Sequence, residues 1–163
     1  ITPIVAFGIG GRGPGDVRDT GGDIRRTGEF VVSLVGNALA EKMNITAIEF
    51  DKRVNELTEA GLHAAPSSRV KPPRVAESPV SFECERLVIV EVAVDCAVVL
   101  GKVVAIHVAD EFVLDAAKCY IDTPKWDLIA QMHGRGWYAC TTDRFEIPRI
   151  DLADWPLRSK AAE

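Results

Sequence analysis

Short runs of β-branched residues alternate along the chain with stretches punctuated by glycine and proline, and the alternation is uneven. Residues 1–9 read as a strand in which Ile4, Val5 and Phe7 supply β propensity, and a glycine cluster over 8–15 follows. Asp19 and Thr20 open a short helix. Arg25 and Arg26 place positive charge in its last turn, and Gly28 takes the C′ position that ends it. Residues 30–35 form a second strand. Leu39 and Met43 then mark one face of a helix over 38–47, and Phe50, Val54 and Leu57 repeat at the spacing of a second short helix. Between 64 and 79, Pro66, Pro72, Pro73 and Pro79 remove backbone donors and bias their predecessors toward extended geometry, so this connection is irregular.

Residues 80–94 and 98–108 are β-branched runs separated by Asp95, Cys96 and Ala97, and a third short run over 112–114 completes a predicted antiparallel meander. Thr123 as N-cap and Pro124 at the first helical position predict a helix that carries Trp126, Ile129, Ala130 and His133 on one face and stops at Gly134. Residues 137–142 suit a last strand. Strands come first, two helices interrupt, and strands return without the regular strand-helix repeat of a parallel sheet. The fold class is therefore mainly β with appended helices, as a small antiparallel closed or split barrel. A single domain over 1–150 is expected, followed by a solvated C-terminal tail over 151–163.

Bulk properties narrow the partners. A chain of 163 residues, 47% hydrophobic, can bury one sizeable core. Its net charge of −5, with Lys and Arg dispersed, provides no basic stripe for a phosphate backbone, so nucleic acid is excluded as a partner. The stretch 98–109 is interrupted by Lys102 and His107 and falls short of the ~20 apolar residues that cross a bilayer. With no secretory signal pattern in the chain as given, a cytoplasmic location and no membrane contact are expected. Cys84, Cys96, Cys119 and Cys140 form no Cys-x-x-Cys pair, which argues against a metal site and predicts four buried, reduced thiols.

Several segments carry candidate chemistry. Gly8-Ile9-Gly10-Gly11-Arg12-Gly13 matches a dinucleotide-binding turn letter for letter, but Pro14, Gly15, Gly21 and Gly22 leave no continuous helix to hold a pyrophosphate. Gly36 and Asn37 also stand where that turn's ribose-binding carboxylate belongs. A flexible loop or hairpin is the better reading. At Arg18-Asp19-Thr20, a helix start offers free N–H groups, Thr20 adds a hydroxyl and Arg18 a fixed charge, with Gly21 and Gly22 permitting close approach. That composition suits an anion site, although on the local residues alone a plain N-cap beside an exposed arginine is the better reading. The segment Met132-His133-Gly134-Arg135-Gly136-Trp137-Tyr138 could line a planar ligand, or could be a helix C-cap with core aromatics. No nucleophile-His-carboxylate pattern is present. His63, His107 and His133 are singletons read as structural or surface groups, and Glu83 and Glu85 alternate onto one face, where solvent exposure is expected.

Taken in order, the segments Arg18-Asp19-Thr20, Thr27-Gly28-Glu29-Phe30-Val31-Val32-Ser33-Leu34, Met43-Asn44-Ile45-Thr46-Ala47 and Ala60-Gly61-Leu62 resemble the flavin reductase-like, FMN-binding split-barrel family. The likeness continues through 70–79 and through 100–108, where Leu100-Gly101-Lys102 and Ile106-His107-Val108 carry it. The family includes flavoredoxin and the reductase component of nitrilotriacetate monooxygenase. The resemblance implies contact between Arg18, Asp19 and Thr20 and the FMN phosphate, and places His133, Gly134, Trp137 and Tyr138 near the flavin. The family usually has Asn where Asp23 stands, and usually begins with further strands that this chain is expected to lack. It implies FMN as cofactor, NADH or NADPH as electron donor, hydride transfer to flavin N5, a homodimer and a possible partner monooxygenase. The alternatives are an FMN-binding electron-transfer module without turnover and a flavin-free dimerisation domain.

Overall fold

The structure is a computed structural model that describes residues 2–10, 19–51, 53–94, 96–133 and 136–152. In chain order the elements are β1 (Ile4–Gly10), α1 (Asp19–Thr27), β2 (Glu29–Ser33), α2 (Ala40–Ile45), α3 (Glu56–Glu59), β3 (Ala64–Ala65) and β4 (Arg74–Val75). They continue with β5 (Val80–Ala93), β6 (Cys96–Val108), β7 (Val113–Asp115), β8 (Tyr120–Ile121), β9 (Ile129–His133) and β10 (Trp137–Cys140). Among the described residues every strand pairing is antiparallel, and the principal sheet has the order β1-β6-β5-β2. The antiparallel, mainly β class expected from the sequence is thus present.

α1 ends as its sequence dictates. Gly28 takes φ +73°, a conformation that costs a side-chain-bearing residue strain, and its N–H returns to Ile24 O at 3.0 Å. Arg86 on β5 completes the cap by donating to the carbonyls of Ile24 and Arg25, which places a cation at the negative end of the helix. Ile24, Phe30, Cys84 and Val99 form the buried centre, with Val5, Phe7, Ile9 and Val103 packed against them. Phe30 meets Phe7 edge to face at 5.3 Å between ring centroids. Its ring lies directly over Gly101, where a Cβ would come within 2.3 Å of Phe30 Cζ.

Four sequence expectations need correction. The helix expected from Thr123 to His133 is one 3₁₀ turn, Thr123–Trp126, followed by β9. Asp127 in the left-handed conformation (φ 43°) ends the turn, and pairing with β10 holds the rest extended. The helix suggested by Phe50, Val54 and Leu57 shrinks to α3, which begins only where the Asn55 side chain caps Leu57 N and Thr58 N. The third run of the meander, β7, pairs with β8 instead of β6. Of the four cysteines, all free, only Cys84 is buried. Burial pushes its thiol up to about 11, leaving it protonated and unreactive. The arginine and glycines of the 11–15 cluster, the aspartate at 95 and the tail from 153 onward lie outside the described residues.

The long hairpin β5–β6 has two unlike halves. Near Val80 the strands are covered, whereas from Glu85 to Ala93 almost every β5 position is open to solvent. Leu87, Val88, Val90 and Val92 form an apolar strip 42–57% exposed, beginning where the register shifts between Arg86 and Val88. Among the described residues no helix is long and apolar enough to cross a membrane.

Candidate functional site

The sequence-predicted site falls into two parts, which the fold attaches to opposite ends of β2. The first is the start of α1. Arg18 lies outside the described residues, but Asp19 and Thr20 begin the helix, whose first N–H groups have no intrahelical acceptor. Thr20 is exposed, and its hydroxyl has no partner among the described residues. Gly21 has a different role from the one expected. A Cβ there would meet Ile9 Cδ1 at 3.2 Å, so the glycine lets α1 lie close on β1. Asp23 pairs with Arg26 at 2.7 Å on the solvent side, and Arg25 reaches Glu91 of β5 at 2.9 Å.

The second part is the hairpin β9–β10. His133 and Trp137 are direct cross-strand partners, and Tyr138 pairs with Gln131, so the register slips by one residue and leaves Met132 as the extra position. Trp137 is 69% exposed and Tyr138 40%, with Gly136 at φ +90° forming the described part of the turn; Gly134 lies outside the described residues. These aromatics face solvent, which rules out the reading that made them core residues. The hairpin is tied to the segment after β2 by Ile129 N donating to Val35 O at 3.0 Å, Asn37 N to Asp127 O at 2.8 Å, and a bridge between Gly36 and Leu128. Directly before it, Trp126 Nε1 and Asp127 Oδ1 are buried without a hydrogen-bond partner among the described residues: one donor and one acceptor left open. Six residue steps along β2, at ~3.3 Å each, separate the Glu29 and Val35 anchor points by about 20 Å.

Sequence reasoning missed a third group of residues. Glu83 is fully buried. Its carboxylate accepts hydrogen bonds from Ser68 N at 2.7 Å, Ser68 Oγ at 3.0 Å, Arg69 N at 2.6 Å and Val70 N at 3.1 Å, and bonds with His107 Nε2. Burial opposes ionisation of Glu83, but the donors of Ser68, His107 and Arg69 outweigh it and bring the carboxyl down to about 2. Its expected exposure is therefore corrected: the proline-rich connection folds over it. The available signal was cross-strand geometry. Glu83 faces Ala105 and Ser81 faces His107, which makes Glu83 and His107 diagonal neighbours on one sheet face. Among the described residues no group of His, Cys, Asp or Glu is arranged to hold a metal.

Comparison with known proteins places this architecture. The family model described as the flavin reductase-like domain matches residues 2–123. An uncharacterised protein of Deinococcus radiodurans is 38% identical over 161 residues, covering 99% of this chain and 70% of the relative. Nitrilotriacetate monooxygenase component B from Bacillus cereus is similar in structure with a TM-score of 0.78 at 25% identity, covering 89% of this chain and 72% of that one. The 2-nitrobenzoate 2-nitroreductase of Pseudomonas fluorescens superimposes with a TM-score of 0.80 at 23% identity, over 93% of this chain and 71% of that one, a likeness of fold.

Proposed function

The chain belongs to the flavin reductase-like family, and from that premise we propose that it binds FMN and accepts hydride from NADH or NADPH onto the flavin. The observation that carries this reading is the family match over 2–123, which includes the open helix start at Asp19 and Thr20. The residues present fit the cofactor. The N–H groups of α1 and the Thr20 hydroxyl are donors for its phosphate, with Arg18 adding charge. Trp137 and Tyr138 offer flat apolar faces for the ring, beside His133, and the open donor and acceptor of Trp126 and Asp127 suit a heterocycle edged with both.

When bound, the flavin supplies the redox chemistry through its N5. The chain's own contribution is then to orient and to exclude water, and it needs no conspicuous acid or base. A homodimer accords with this reading, since the two parts of the site hang from separated anchors and the apolar strip of β5 is open for a second copy. Four free thiols suit the reducing cytoplasm, and a partner monooxygenase could consume the reduced flavin.

The visible spectrum of the protein with saturating FMN tests the proposal. Protein-bound flavin that bleaches anaerobically with NADH or NADPH is expected. Bound flavin that neither nucleotide bleaches would leave an electron-transfer module, and no bound flavin would remove both readings. Arg18→Ala should weaken FMN binding by roughly tenfold or more, the worth of a charge-assisted phosphate contact; unchanged affinity would overturn the phosphate assignment.

A further inference from the structure

Away from Thr20, His133, Trp137 and Tyr138, a cavity of about 330 Å³ opens where β4 approaches the end of β6, with Arg74, Ser78, His107 and Asp110 among its lining residues. Its chemistry follows from the buried carboxylate behind it. Glu83 carries no proton near neutral pH and can only accept, so the His107 nitrogen facing it, Nε2, must donate. A neutral ring held in that orientation has Nδ1 as its acceptor, and Nδ1 has no partner among the described residues. Arg74 spends only Nε, on Pro66 O at 3.3 Å, and its two terminal nitrogens have no protein partner among the described residues. Asp110 is likewise unpaired there and adds a second acceptor, which disfavours a multiply charged anion.

A guanidinium fork and a tautomer-fixed imidazole acceptor in one polar cavity call for a ligand with two adjacent groups of opposite hydrogen-bonding sense. We infer that this cavity binds a small monocarboxylate bearing a neighbouring hydroxyl or N–H donor, its carboxylate on Arg74 and its donor on His107 Nδ1. The clamp on residues 68–70 would hold with the main-chain donors alone, so it explains neither the orientation of His107 nor an unpaired arginine at the cavity wall.

The test is a titration of the whole chain with glycolate, followed through the imidazole signals of His107 by NMR, with acetate as the donor-free control and sodium chloride as the ionic-strength control. A saturable His107 shift with glycolate is expected, about tenfold weaker with acetate and absent with chloride, the difference one hydrogen bond to a fixed acceptor makes. Arg74→Gln should weaken glycolate by about tenfold while leaving the free protein's His107 signal and thermal midpoint in place. His107→Gln keeps a donor for Glu83 and should abolish the preference for glycolate over acetate. The inference is overturned if glycolate gives no saturable shift at millimolar concentrations, if chloride reproduces it, or if Arg74→Gln binds glycolate unchanged. Flavin binding is not involved in any of these readouts, so failure here and failure of the flavin proposal are distinguishable.

Discussion

Replacing Gly101 by alanine would set a methyl carbon 2.3 Å from Phe30 Cζ and 2.8 Å from Cε1, well inside the separation carbon atoms tolerate. Relief requires the ring to retreat by about 1 Å, because a carbon–carbon contact settles near ~3.5 Å. Phe30 has little room to do so. It is 6% exposed, packs with Ile24, Cys84 and Val99, and leans edge-on against Phe7. Forced overpacking of this kind costs about 1–3 kcal/mol. Alanine also lowers the entropy of the unfolded chain, which returns about 0.4–1 kcal/mol. A net destabilisation of about 1 kcal/mol is expected, read as a lowered denaturation midpoint in urea with an unchanged slope. The assignment to Phe30 is checked by a double-mutant cycle. Phe30→Leu removes the clashing carbons, so Gly101→Ala/Phe30→Leu should be more stable than the sum of the single changes implies, by about 1 kcal/mol or more. Additivity within about 0.5 kcal/mol would refute the reasoning, since the methyl group would then be colliding with something other than this ring.

Glu83 sets an acid limit on stability. Its carboxyl is near 2 when folded against an ordinary 4.5, a depressed value, so the stabilisation is complete above about 4.5 and is lost as pH falls toward 2. The linked free energy is about 3 kcal/mol, and chemical denaturation across that window should show Glu83→Gln to be less pH-dependent than the parent. Charging the exposed strip with Leu87→Lys and Val90→Glu should convert the proposed dimer to a monomer in analytical ultracentrifugation; an unchanged sedimentation coefficient would overturn the placing of an interface there. Asn55→Ala removes the two side-chain hydrogen bonds that start α3 and should cost about 1 kcal/mol in thermal or urea unfolding.

The elements legible in the sequence are those whose cause is local. Alternation with β-branched residues located β5 and β6, and two arginines followed by glycine located the end of α1. The segment after Thr123 misled because Trp126, Ile129, Ala130 and His133 repeat at helical spacing, while what decides its structure is a left-handed Asp127 and the partner strand Trp137–Cys140. Glu83 misled for a similar reason. Alternation with Glu85 suggested a solvent face, and only the fold shows that residues 68–70 come to lie over Glu83. The candidate phosphate corner was readable as a helix start, whereas Arg74 and His107, 33 positions apart in the numbering, are joined only by the fold.

The strand order β1-β6-β5-β2 has a consequence for how the chain is made. β1 and β2 lie on opposite edges of the sheet and are joined only through a hairpin that is synthesised after both. Ile4 pairs with Lys102, so direct closure of that contact costs about 4 kcal/mol in chain entropy from loop length alone. A nascent chain that has not yet reached Val80 therefore holds β1 and β2 without β6 and β5, the strands they pair with. The β5–β6 hairpin, whose partners are sequence neighbours, is the element on which the rest can assemble, and the β1–β6 register forms only once β6 exists.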